Sequence, residues 1–466
     1  MLMLSSDAAS ELPPPCHMLT GWDLGAICCI VSLDSDQDFL LQISPLSNET
    51  QRGIDETKRS VALVAGNSGM SETQLEDEAA QRHDPLELIA ARHYPTFLDE
   101  PHSTRYVFVQ WIDYLGQMRT RCVPIIEFTK IAKLGERVRI SYGNLGTLQN
   151  DHFSPVCNPV GAIYLDLDYA TLRPMQDVGR MKDTATIMAG FLGEDMKPLE
   201  LCPRQSLKNV VNSFTDEYGV EFLVGFEIEV TFCKRDLTNQ EDPYEPLDTM
   251  HAWGTFSDEQ YMTAMPLMTE ITAALMSLGI GVQQMHSEAG AGQYEFVLPP
   301  LPPVHAVDTL YQSRQCITQI AAIHGLRATC YPTPFEGVGS ASHAHISFNS
   351  TNPEAEGLEK IQKPFIASVL DHLTSLCAFT MPQAASYERV IDDSWTGGTF
   401  IAWGTQNREV PIRKSAENRW EIRCMDGCAN TYLALAAIFA AGLHGVRNGT
   451  EMKISDVLCM LILFFT

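Results

Sequence analysis

The sequence predicts an α+β protein, with a small β-rich domain followed by a larger domain of helices and an antiparallel sheet. Some segments place apolar residues at helical spacing, whereas shorter ones alternate strictly between polar and apolar residues, and the two kinds are interspersed. The chain has 466 residues, more than one ordinary domain, and its hydrophobic content of 45% is enough for a sizeable core. We therefore expect two folded domains and an appendage.

The appendage is predicted at residues 1–99, as an irregular, disordered extension. It contains a proline run at residues 13–15 and an acidic tract at residues 72–78, among Ser, Asp and Asn. An apolar run at residues 24–33 follows acidic residues rather than the basic segment of a secretory signal. We assign no chemistry to this region.

The small domain is predicted at residues 100–190. Residues 106–113 and 118–124 have the composition of strands, and residues 114–117 form a turn between them. Residues 163–168 are a further predicted strand.

The large domain is predicted at residues 200–466. Residues 261–278, 307–324 and 364–377 carry apolar side chains at helical spacing. Short alternating segments lie between these helices, and they predict an antiparallel sheet packed against the helices.

Composition limits the classes of partner. The chain has 32 Lys and Arg against 58 Asp and Glu, a formal charge of −26, which argues against nucleic acid because phosphate binding needs a basic footprint. Thirteen cysteines without a CxxC pair favour reduced thiols in a cytoplasmic protein. The apolar run at residues 457–465 is too short to span a bilayer, so no membrane partner is expected.

Three alternating segments, at residues 225–230, 342–347 and 420–424, carry unusual polar faces. Side chains two apart in a strand project to the same side. The polar side chains of the three segments are Glu227 and Glu229, His343 and His345, and Glu421 and Arg423. An ordinary solvated sheet face explains any one segment, but three segments with only Glu, His and Arg favour a site.

Two further carboxylates, Glu288 and Glu295, bracket a glycine-rich stretch in which the backbone can approach a ligand closely. Five converging carboxylates would repel one another and raise each other's pKa unless cations lay between them. Oxygen-rich ligation with an imidazole suits Mg²⁺ or Mn²⁺, whereas the ligand spacing typical of zinc sites is missing from the sequence.

A group of arginines follows in the sequence: Arg389, Arg408, Arg413, Arg419 and Arg423. Planar guanidinium groups bind phosphate and carboxylate oxygens, although surface salt bridges would use the same residues. Metal-binding carboxylates together with arginines that bind oxyanions indicate phosphoryl transfer.

Six motifs, taken in order, resemble those of the glutamine synthetase superfamily over about residues 100–450. They are GFEIEV (225–230), SEAGAGQYE (287–295), GSASHAHIS (339–347), SYERV (386–390), NREVPIR (407–413) and RWEIRCMDGCANTY (419–432). Residues 106–124 also resemble the N-terminal domain of the family, and most of all its fungal glutamine-synthetase-like branch. The resemblance implies a β-grasp-like small domain and a catalytic domain with a curved antiparallel sheet flanked by helices.

The resemblance also implies a role for each matching position. The implied ligands of one metal ion are Glu229, Glu288 and Glu295, and those of a second, nearer the transferred phosphate, are Glu227, His343 and Glu421. The implied ATP contacts are Arg408, Arg413 and Arg419, with His345 and Ser347 near the nucleotide. The implied substrate contacts are Gly339, Arg389 and Arg423, and the implied catalytic residues are Arg408, Glu421 and Arg423.

Departures from the family concern the amine. Val338 stands where the family has Asn, Trp395 stands where housekeeping enzymes carry an acidic residue, and residues 140–144 lack the usual Asp. Those two acids help the family to bind and deprotonate ammonium, so a larger amine, apolar or cationic, is the hypothesis. Residues 451–466 show no family pattern, and we expect a C-terminally truncated catalytic domain.

The resulting hypothesis is an ATP-dependent ligase of the glutamate–ammonia ligase type. Its expected cofactors are ATP and Mg²⁺ or Mn²⁺, its substrates glutamate and ammonia or another amine, and its assembly a homo-oligomeric ring. A non-catalytic oligomeric scaffold or regulatory protein that retains the fold is the main alternative. A guanidino kinase, which shares the catalytic fold, is a third.

Overall fold

The computed structural model describes residues 103–458 apart from residues 149, 155–156, 158, 176–177, 237, 239–242, 250–251 and 352–356. The predicted extension at residues 1–99 lies outside the described residues, as do residues 459–466. All described residues belong to one compact unit.

The first sheet has five strands and one packed helix. The strands are β1 (Tyr106–Ile112), β2 (Met118–Pro124), β3 (Val138–Ser141), β4 (Ala162–Pro174) and β5 (Thr184–Leu192), in the order β2-β1-β5-β4-β3. The helix is α1 (Ile125–Leu134), whose buried Phe128 packs in the same core as Trp111 and Ile187. The pairing of β1 with β5 is parallel and the other pairs are antiparallel, as in a β-grasp.

The β1–β2 turn connects this sheet to the second one. Asp113 accepts hydrogen bonds from the backbone N–H groups of Leu115 and Gln117, both at 2.9 Å, which closes the turn. Gly116 has a φ of 74° and faces the backbone of Asn430. The Asn430 amide donates to the carbonyl oxygen of Asp113 at 2.9 Å, so the turn docks beside the start of the last helix.

The second sheet has nine strands, with β6 at its centre. They are β6 (Val220–Arg235), β7 (Tyr244–Pro246), β8 (Gln284–Ser287), β9 (Gln293–Val297), β10 (Arg327–Thr329), β11 (Ala344–Ser350), β12 (Trp403–Thr405), β13 (Ile412–Ala416) and β14 (Arg419–Ile422). The order is β12-β13-β14-β11-β6-β9-β8, with β7 and β10 paired to the far end of β6. Only the β12–β13 pair of the described sheet is parallel.

Within the described residues, seven helices accompany this sheet: α2 (Pro203–Tyr218), α3 (Asp258–Ser277), α4 (Pro303–Ile323), α5 (Leu358–Asp371), α6 (Leu373–Thr380), α7 (Ala384–Glu388) and α8 (Thr431–Asn448). The even-numbered side chains of β6 enter the core beneath them. There Phe222 meets Phe439 with ring centroids 4.7 Å apart and Phe214 at 4.9 Å. The odd-numbered side chains of β6 therefore point away from this core.

The predicted α+β class is confirmed, and several element boundaries are corrected. Helix α3 begins at Asp258 rather than residue 261, because Ser257 and Gln260 form a capping box. The predicted helix at residues 364–377 is two helices, α5 and α6, separated at His372. Among the described residues, no helix is long and apolar enough to cross a membrane.

Two predicted strands are shorter than expected, each at the end that carries a candidate site residue. Strand β11 begins at Ala344, because the Ser342 N–H bonds the carbonyl oxygen of Met425 rather than a ladder partner. Strand β14 ends at Ile422, because Pro411, the next ladder partner of Arg423, accepts from the Arg423 N–H but has no N–H to donate in return. His343 and Arg423 thus lie just beyond the strands to which the sequence assigned them.

Candidate active site

The odd-numbered face of β6 carries the first two carboxylates, Glu227 and Glu229. Glu229 lies opposite Glu295 of β9, and Glu295 in turn lies opposite His286 of β8. On the other side of β6, Gly225 lies opposite His345 of β11. Antiparallel pairing thus places acidic and imidazole side chains from four strands on one face of the sheet.

The row of paired residues that begins with Gly225 and His345 continues across the sheet. His345 lies opposite Glu421 of β14, and Glu421 lies opposite Arg413 of β13. The register of the sheet therefore brings His345, Glu421 and Arg413 together.

Glu227 is the centre of one cluster. Its carboxylate contacts His343 Nδ1 at 2.8 Å and His345 Nε2 at 2.9 Å. His343 Nδ1 also lies 3.6 Å from a Glu421 oxygen and 3.7 Å from a Glu229 oxygen. Three carboxylates therefore surround one nitrogen of a buried imidazole.

A second cluster joins His286, Glu288 and Glu295. His286 Nε2 lies 3.1 Å from a Glu295 oxygen, and Nδ1 lies 3.6 Å from a Glu288 oxygen. The indole N–H of Trp253 donates to Glu288 at 3.0 Å. This cluster adjoins the first through Glu229, which pairs with Glu295 across the two strands.

Glu229 itself is buried and held by two donors. The Ala341 N–H donates to its carboxylate at 2.7 Å, and the side-chain amide of Gln293 donates at 3.1 Å. The same Gln293 amide also donates to the carbonyl oxygen of Gly339 at 2.7 Å. Gln293 therefore links the acidic cluster to the loop that the family resemblance assigns to the substrate.

Burial and mutual repulsion raise the pKa values of three acids on this face. Burial, reinforced by the charges of Glu288 and Glu295, raises the pKa of Glu229 well above its usual range. Burial likewise raises the pKa of Glu288, and raises the pKa of Glu295 to about 7. The hydrogen bond to Glu295 raises the pKa of His286 to about 9.

The pKa values of the acids in the Glu227 cluster, Glu227 and Glu421, are lowered instead. Burial would raise the pKa of Glu227, but hydrogen bonds from His343 and His345 outweigh it and hold that pKa far below its usual range. Burial would also raise the pKa of Glu421, but Arg423 and the two histidines lower it. Burial and the charge of Arg423 lower the pKa of His343 to about 4, so its imidazole is neutral at neutral pH.

These donor sets fit divalent cations. One ligand atom from each of Glu227, His345 and Glu421 lies within 4.8 Å of the others, and the same holds for His286, Glu288 and Glu295. Carboxylate oxygens with raised pKa values, packed together, gain from a bound cation that removes their repulsion. Oxygen-rich sets with one or two imidazoles match Mg²⁺ and Mn²⁺.

The buried arginines hold the site together. Arg413 contacts Glu421 at 2.7 Å from the β13 side, and Arg423 forms a closer ion pair with the same carboxylate. The second Arg423 Nη donates to the Trp395 carbonyl oxygen at 2.7 Å. Arg389 is buried and donates to the carbonyl oxygens of Arg423 at 3.2 Å and Thr396 at 3.5 Å.

The remaining arginines face solvent. Arg408 is exposed, and its guanidinium lies over the Trp253 ring at 5.5 Å. Arg419 is exposed, and its Nε donates to the Ser347 hydroxyl at 3.3 Å. Both guanidinium groups are therefore accessible to an oxyanion at the edge of the acidic face.

The loop before β11 packs tightly over Arg389. A Cβ at Gly339 would lie 3.1 Å from the Cγ of Arg389, so a larger residue would displace that arginine. Val338 is buried, and it contacts Gly290 closely enough that a Cβ at Gly290 would overlap it. Trp395 is 59% exposed, and its backbone N–H donates to Glu409 at 2.7 Å.

All six predicted metal-ligand residues thus lie on one face of the sheet, and three further residues belong to their surroundings. His286, Gln293 and Trp253 were missed from the sequence. His286 precedes Glu288 by two residues, which is the same alternation that identified Glu227 and Glu229. Gln293 lies within the SEAGAGQYE motif, whereas nothing in the sequence near Trp253 connects it to Glu288.

Comparisons with known proteins agree with this geometry. Residues 200–455 match the family described as glutamine synthetase, catalytic domain. The chain is 42% identical to Protein fluG of Emericella nidulans over 363 residues, which are 77% of this chain and 41% of that protein. This chain therefore spans less than half the length of that relative.

A second relative and a solved structure are also similar to this chain. The γ-glutamylpolyamine synthetase GlnA3 of Streptomyces coelicolor is 29% identical over 74% of this chain and 76% of its own length. A solved structure of a GmaS complex with ADP superposes with a TM-score of 0.66 at 24% identity, covering 80% of this chain and 84% of that one, which shows a shared fold.

Members of the matched family are ATP-dependent ligases that use divalent metal ions. The family match covers more than half of this chain and includes every predicted site residue. The chain belongs to the glutamine synthetase family.

Proposed function

We propose that this chain joins the γ-carboxyl group of glutamate to an amine, using ATP and a γ-glutamyl phosphate intermediate. The observation that carries the proposal is the meeting of five carboxylates and three imidazoles on one sheet face beside buried guanidinium groups. Such a face can neutralise phosphoryl oxygens and hold a donor and an acceptor in line. The proposed domains are residues 100–190 and the catalytic domain at residues 200–466.

Two cation sites belong to this proposal. Glu229, Glu288 and Glu295 would hold one cation, with His286 beside them, and Glu227, His343 and Glu421 would hold the other, with His345 beside them. Bound cations would supply charge neutralisation for the ATP phosphates. The acids and imidazoles of this chain would fix the positions of those charges, since they are held by hydrogen bonds from Trp253, Gln293 and Ala341.

The arginines divide into two proposed roles. Arg408, Arg413 and Arg419 would bind ATP phosphates, with His345 and Ser347 near the nucleotide. Two of them, Arg408 and Arg419, present exposed guanidinium groups, which supports this role. Arg389 and Arg423 would bind the glutamate carboxylate beside Gly339, because a buried, permanently charged guanidinium favours a carboxylate over water.

The amine is proposed to be larger than ammonia. The acids that would deprotonate ammonium are absent from the corresponding sequence positions, where this chain has Trp395 and the segment at residues 140–144. The indole of Trp395 is largely exposed, so it offers apolar surface rather than a proton acceptor. The relative named γ-glutamylpolyamine synthetase shows that the family includes ligases named for larger amines.

Phosphate release by the purified chain, with ATP, Mg²⁺ or Mn²⁺, glutamate and a panel of amines, tests the proposal. We expect release that depends on glutamate and an amine, with a γ-glutamyl amide of matching mass, and a lower rate with ammonium. Glu227→Gln is expected to abolish release, whereas Glu217→Gln, in an exposed ion pair with Arg447, keeps it. A folded chain that releases no phosphate with any amine would instead favour a non-catalytic role. Light scattering tests the proposed ring.

A further inference from the structure

Glu409 contributes a carboxylate to the loop at residues 395–398, beside the buried arginines. Its Oε1 accepts the backbone N–H of Trp395 at 2.7 Å. The backbone of Glu409 is itself fixed, because its N–H donates to the side-chain oxygen of Asn407 at 2.8 Å. Among the described residues, no group donates to the second carboxylate oxygen, Oε2, and the side chain is only half-buried. That oxygen can therefore accept a hydrogen bond from a bound molecule.

The loop that Glu409 contacts covers the two arginines proposed to bind glutamate. Arg423 donates to the carbonyl oxygen of Trp395 at 2.7 Å, and Arg389 donates to that of Thr396 at 3.5 Å. The two hydrogen bonds of Trp395 thus connect Glu409 with Arg423. They place Oε1 of Glu409 within about 9 Å of the Arg423 guanidinium, because the backbone N and O of one residue are less than about 4 Å apart.

Two glycines bring this loop into close contact with both partners. A Cβ at Gly397 would lie 3.5 Å from the Cβ of Arg423. A Cβ at Gly398 would overlap the carbonyl oxygen of Glu409. The loop therefore packs against the buried arginine on one side and against residue 409 on the other.

The residue before Glu409 reaches the opposite side of the site. The Arg408 guanidinium lies over the Trp253 ring, 5.5 Å from its centroid. The indole N–H of Trp253 donates to Glu288, a proposed cation ligand, at 3.0 Å. Residues 408 and 409 thus extend from the proposed cation site to the loop over the proposed glutamate site. An amine that attacks glutamate between these two sites would pass close to Glu409.

The reaction needs a proton acceptor at this place. An alkylamine resembles the lysine side chain, whose pKa is about 10.4, so it is protonated at neutral pH and has no lone pair with which to attack. The chain has Trp395 and the segment at residues 140–144 at the positions where the family resemblance leads us to expect acids, and neither contains a carboxylate. Glu409 supplies a carboxylate that contacts Trp395 from a different segment of the chain.

We propose that Glu409 binds the ammonium group of the amine substrate and accepts its proton, so that it is a catalytic residue of the ligase. The inference rests on the proposed ligase function. The ammonium group gives one proton to the Glu409 carboxylate, and the neutral nitrogen attacks the γ-carbonyl carbon of γ-glutamyl phosphate. The C–N bond forms and the C–O bond to the phosphate breaks. The departing phosphate takes the second proton of the nitrogen, and Glu409 returns the first to solvent.

Two nucleophiles of nearly the same size separate proton transfer from positioning. Methylamine is protonated at neutral pH and needs a proton acceptor. Hydroxylamine is far less basic, is largely neutral at that pH, and can attack without losing a proton first. Both are assayed with the full chain, ATP, Mg²⁺ and saturating glutamate, by the mass of the γ-glutamyl product and by phosphate release.

Glu409→Gln removes the charge but keeps an oxygen that can accept the Trp395 N–H. We expect this variant to lower kcat/KM for methylamine by at least about 100-fold, the lower end for a positioned proton acceptor, and to leave that for hydroxylamine within about threefold. Glu409→Ala also removes the hydrogen bond that holds the loop, so it should lower kcat/KM for both nucleophiles. Glu217→Gln, in an exposed ion pair with Arg447, is the control and should change neither.

Equal losses with the two nucleophiles in Glu409→Gln, or no loss with either, would overturn the catalytic role and leave the ligase intact. A binding measurement gives a readout that does not depend on turnover. Titration of ¹³C-labelled methylammonium into the chain with ADP, Mg²⁺ and glutamate, followed by NMR line broadening, should show binding that Glu409→Gln weakens by at least about tenfold. Binding that depends on Glu409, without turnover of either nucleophile, would contradict the ligase and retain the ammonium site. Equal binding by the parent and the variant would overturn the site.

Discussion

Glu421 is the most enclosed carboxylate of the site, because its side chain is fully buried between Arg413 and Arg423. Replacing it by Gln would leave two guanidinium groups, 13% and 3% exposed, without their counter-charge. We expect Glu421→Gln to lower the free energy of unfolding by about 3 kcal/mol, since breaking a buried pair on one side is strongly destabilising. Urea unfolding of the metal-free protein would measure this loss.

An exposed ion pair provides the control for Glu421. Glu217 and Arg447 pair with side chains that are about one-third exposed. Glu217→Gln should change the free energy of unfolding by less than about 1 kcal/mol, because solvent screens such pairs. Equal losses in the two variants would show that burial does not strengthen the Glu421 interaction.

Trp253 is expected to position Glu288 through its indole N–H. Trp253→Phe keeps an aromatic ring next to His286 and Arg408 but removes the 3.0 Å hydrogen bond to Glu288. We expect the affinity for Mn²⁺, measured by calorimetry, to fall about tenfold, as for other residues that orient a metal ligand. Trp403→Phe also removes an indole hydrogen bond, at 2.9 Å to the Ile454 carbonyl, but should leave Mn²⁺ affinity unchanged.

The residues of the site differ in how far the sequence could identify them. Alternation placed Glu227 and Glu229 on one face of a strand, and the structure has them there. The contact between Trp253 and Glu288 joins positions 35 residues apart through a loop, and no periodicity describes a loop. Fixed spacing within one strand is readable from sequence, whereas contacts that depend on loop conformation are not.

At the scale of elements, the close packing of α8 on α5 depends on two glycines. A Cβ at Gly445 would overlap the carbonyl oxygen of Pro364 and the Cβ of Ser368, and one at Gly442 would overlap the Phe365 ring. Alanine favours a helix over glycine by about 1 kcal/mol, but overpacking against backbone costs about 1–3 kcal/mol. The steric effect should therefore exceed the gain in propensity.

Gly445→Ala tests this packing. We expect the free energy of unfolding to fall by about 1–2 kcal/mol in urea titration, because α5 must move away from α8. Asn448→Ala, on the exposed side of the same helix, should stay within about 0.5 kcal/mol of the parent protein. A stabilised Gly445→Ala would mean that the two helices have room to separate without loss.

Apolar periodicity predicted whether each major element is a helix or a strand, but it did not always predict the residues at which the element begins and ends. The apolar spacing at residues 364–377 continues across His372, where the backbone leaves the helix with a φ of −103° and a ψ of 3°. The alternation at residues 342–347 continues into Ser342, whose N–H bonds a loop instead of a strand. A boundary depends on competing tertiary hydrogen bonds, which a one-dimensional pattern does not contain.

At the scale of the whole molecule, a buried ion group joins the small sheet to the helices of the large domain. Arg204 of α2 pairs with Asp308 of α4 at 2.7 Å and more closely with Asp168 of β4. Burial would raise the pKa of Asp168, but the charge of Arg204 lowers it below its ordinary value. No sequence motif connected these three positions, since their alignment depends on how the two sheets pack.

The carboxylates of the site make the stability of the metal-free protein depend on pH. His286 has a pKa of about 9 in the folded protein, above its ordinary value of about 6.5. Its protonation therefore stabilises the fold fully below about pH 6.5, and this stabilisation is lost as the pH rises through about 9. Glu295, with a pKa of about 7, releases its remaining proton at the start of the same range and adds to the loss. In the chelator-treated protein, the free energy of unfolding should therefore fall by about 1–2 kcal/mol between pH 6.5 and 8.5.

Bound cations should reverse most of this loss. The deprotonated acids bind Mg²⁺ or Mn²⁺ in the folded state, and this linkage stabilises the fold more at pH 8.5 than at pH 6.5. Glu295→Gln removes the acid and replaces the charged acceptor that raises the pKa of His286 by a neutral one, so the stability of the variant should change less with pH in the presence of chelator. Urea unfolding of both proteins, with chelator and with saturating Mn²⁺, would measure how the free energy of unfolding changes with pH in each of the four cases. A parent protein whose stability rises with pH in chelator would contradict the proton-sharing between His286 and Glu295 from which the expectation follows.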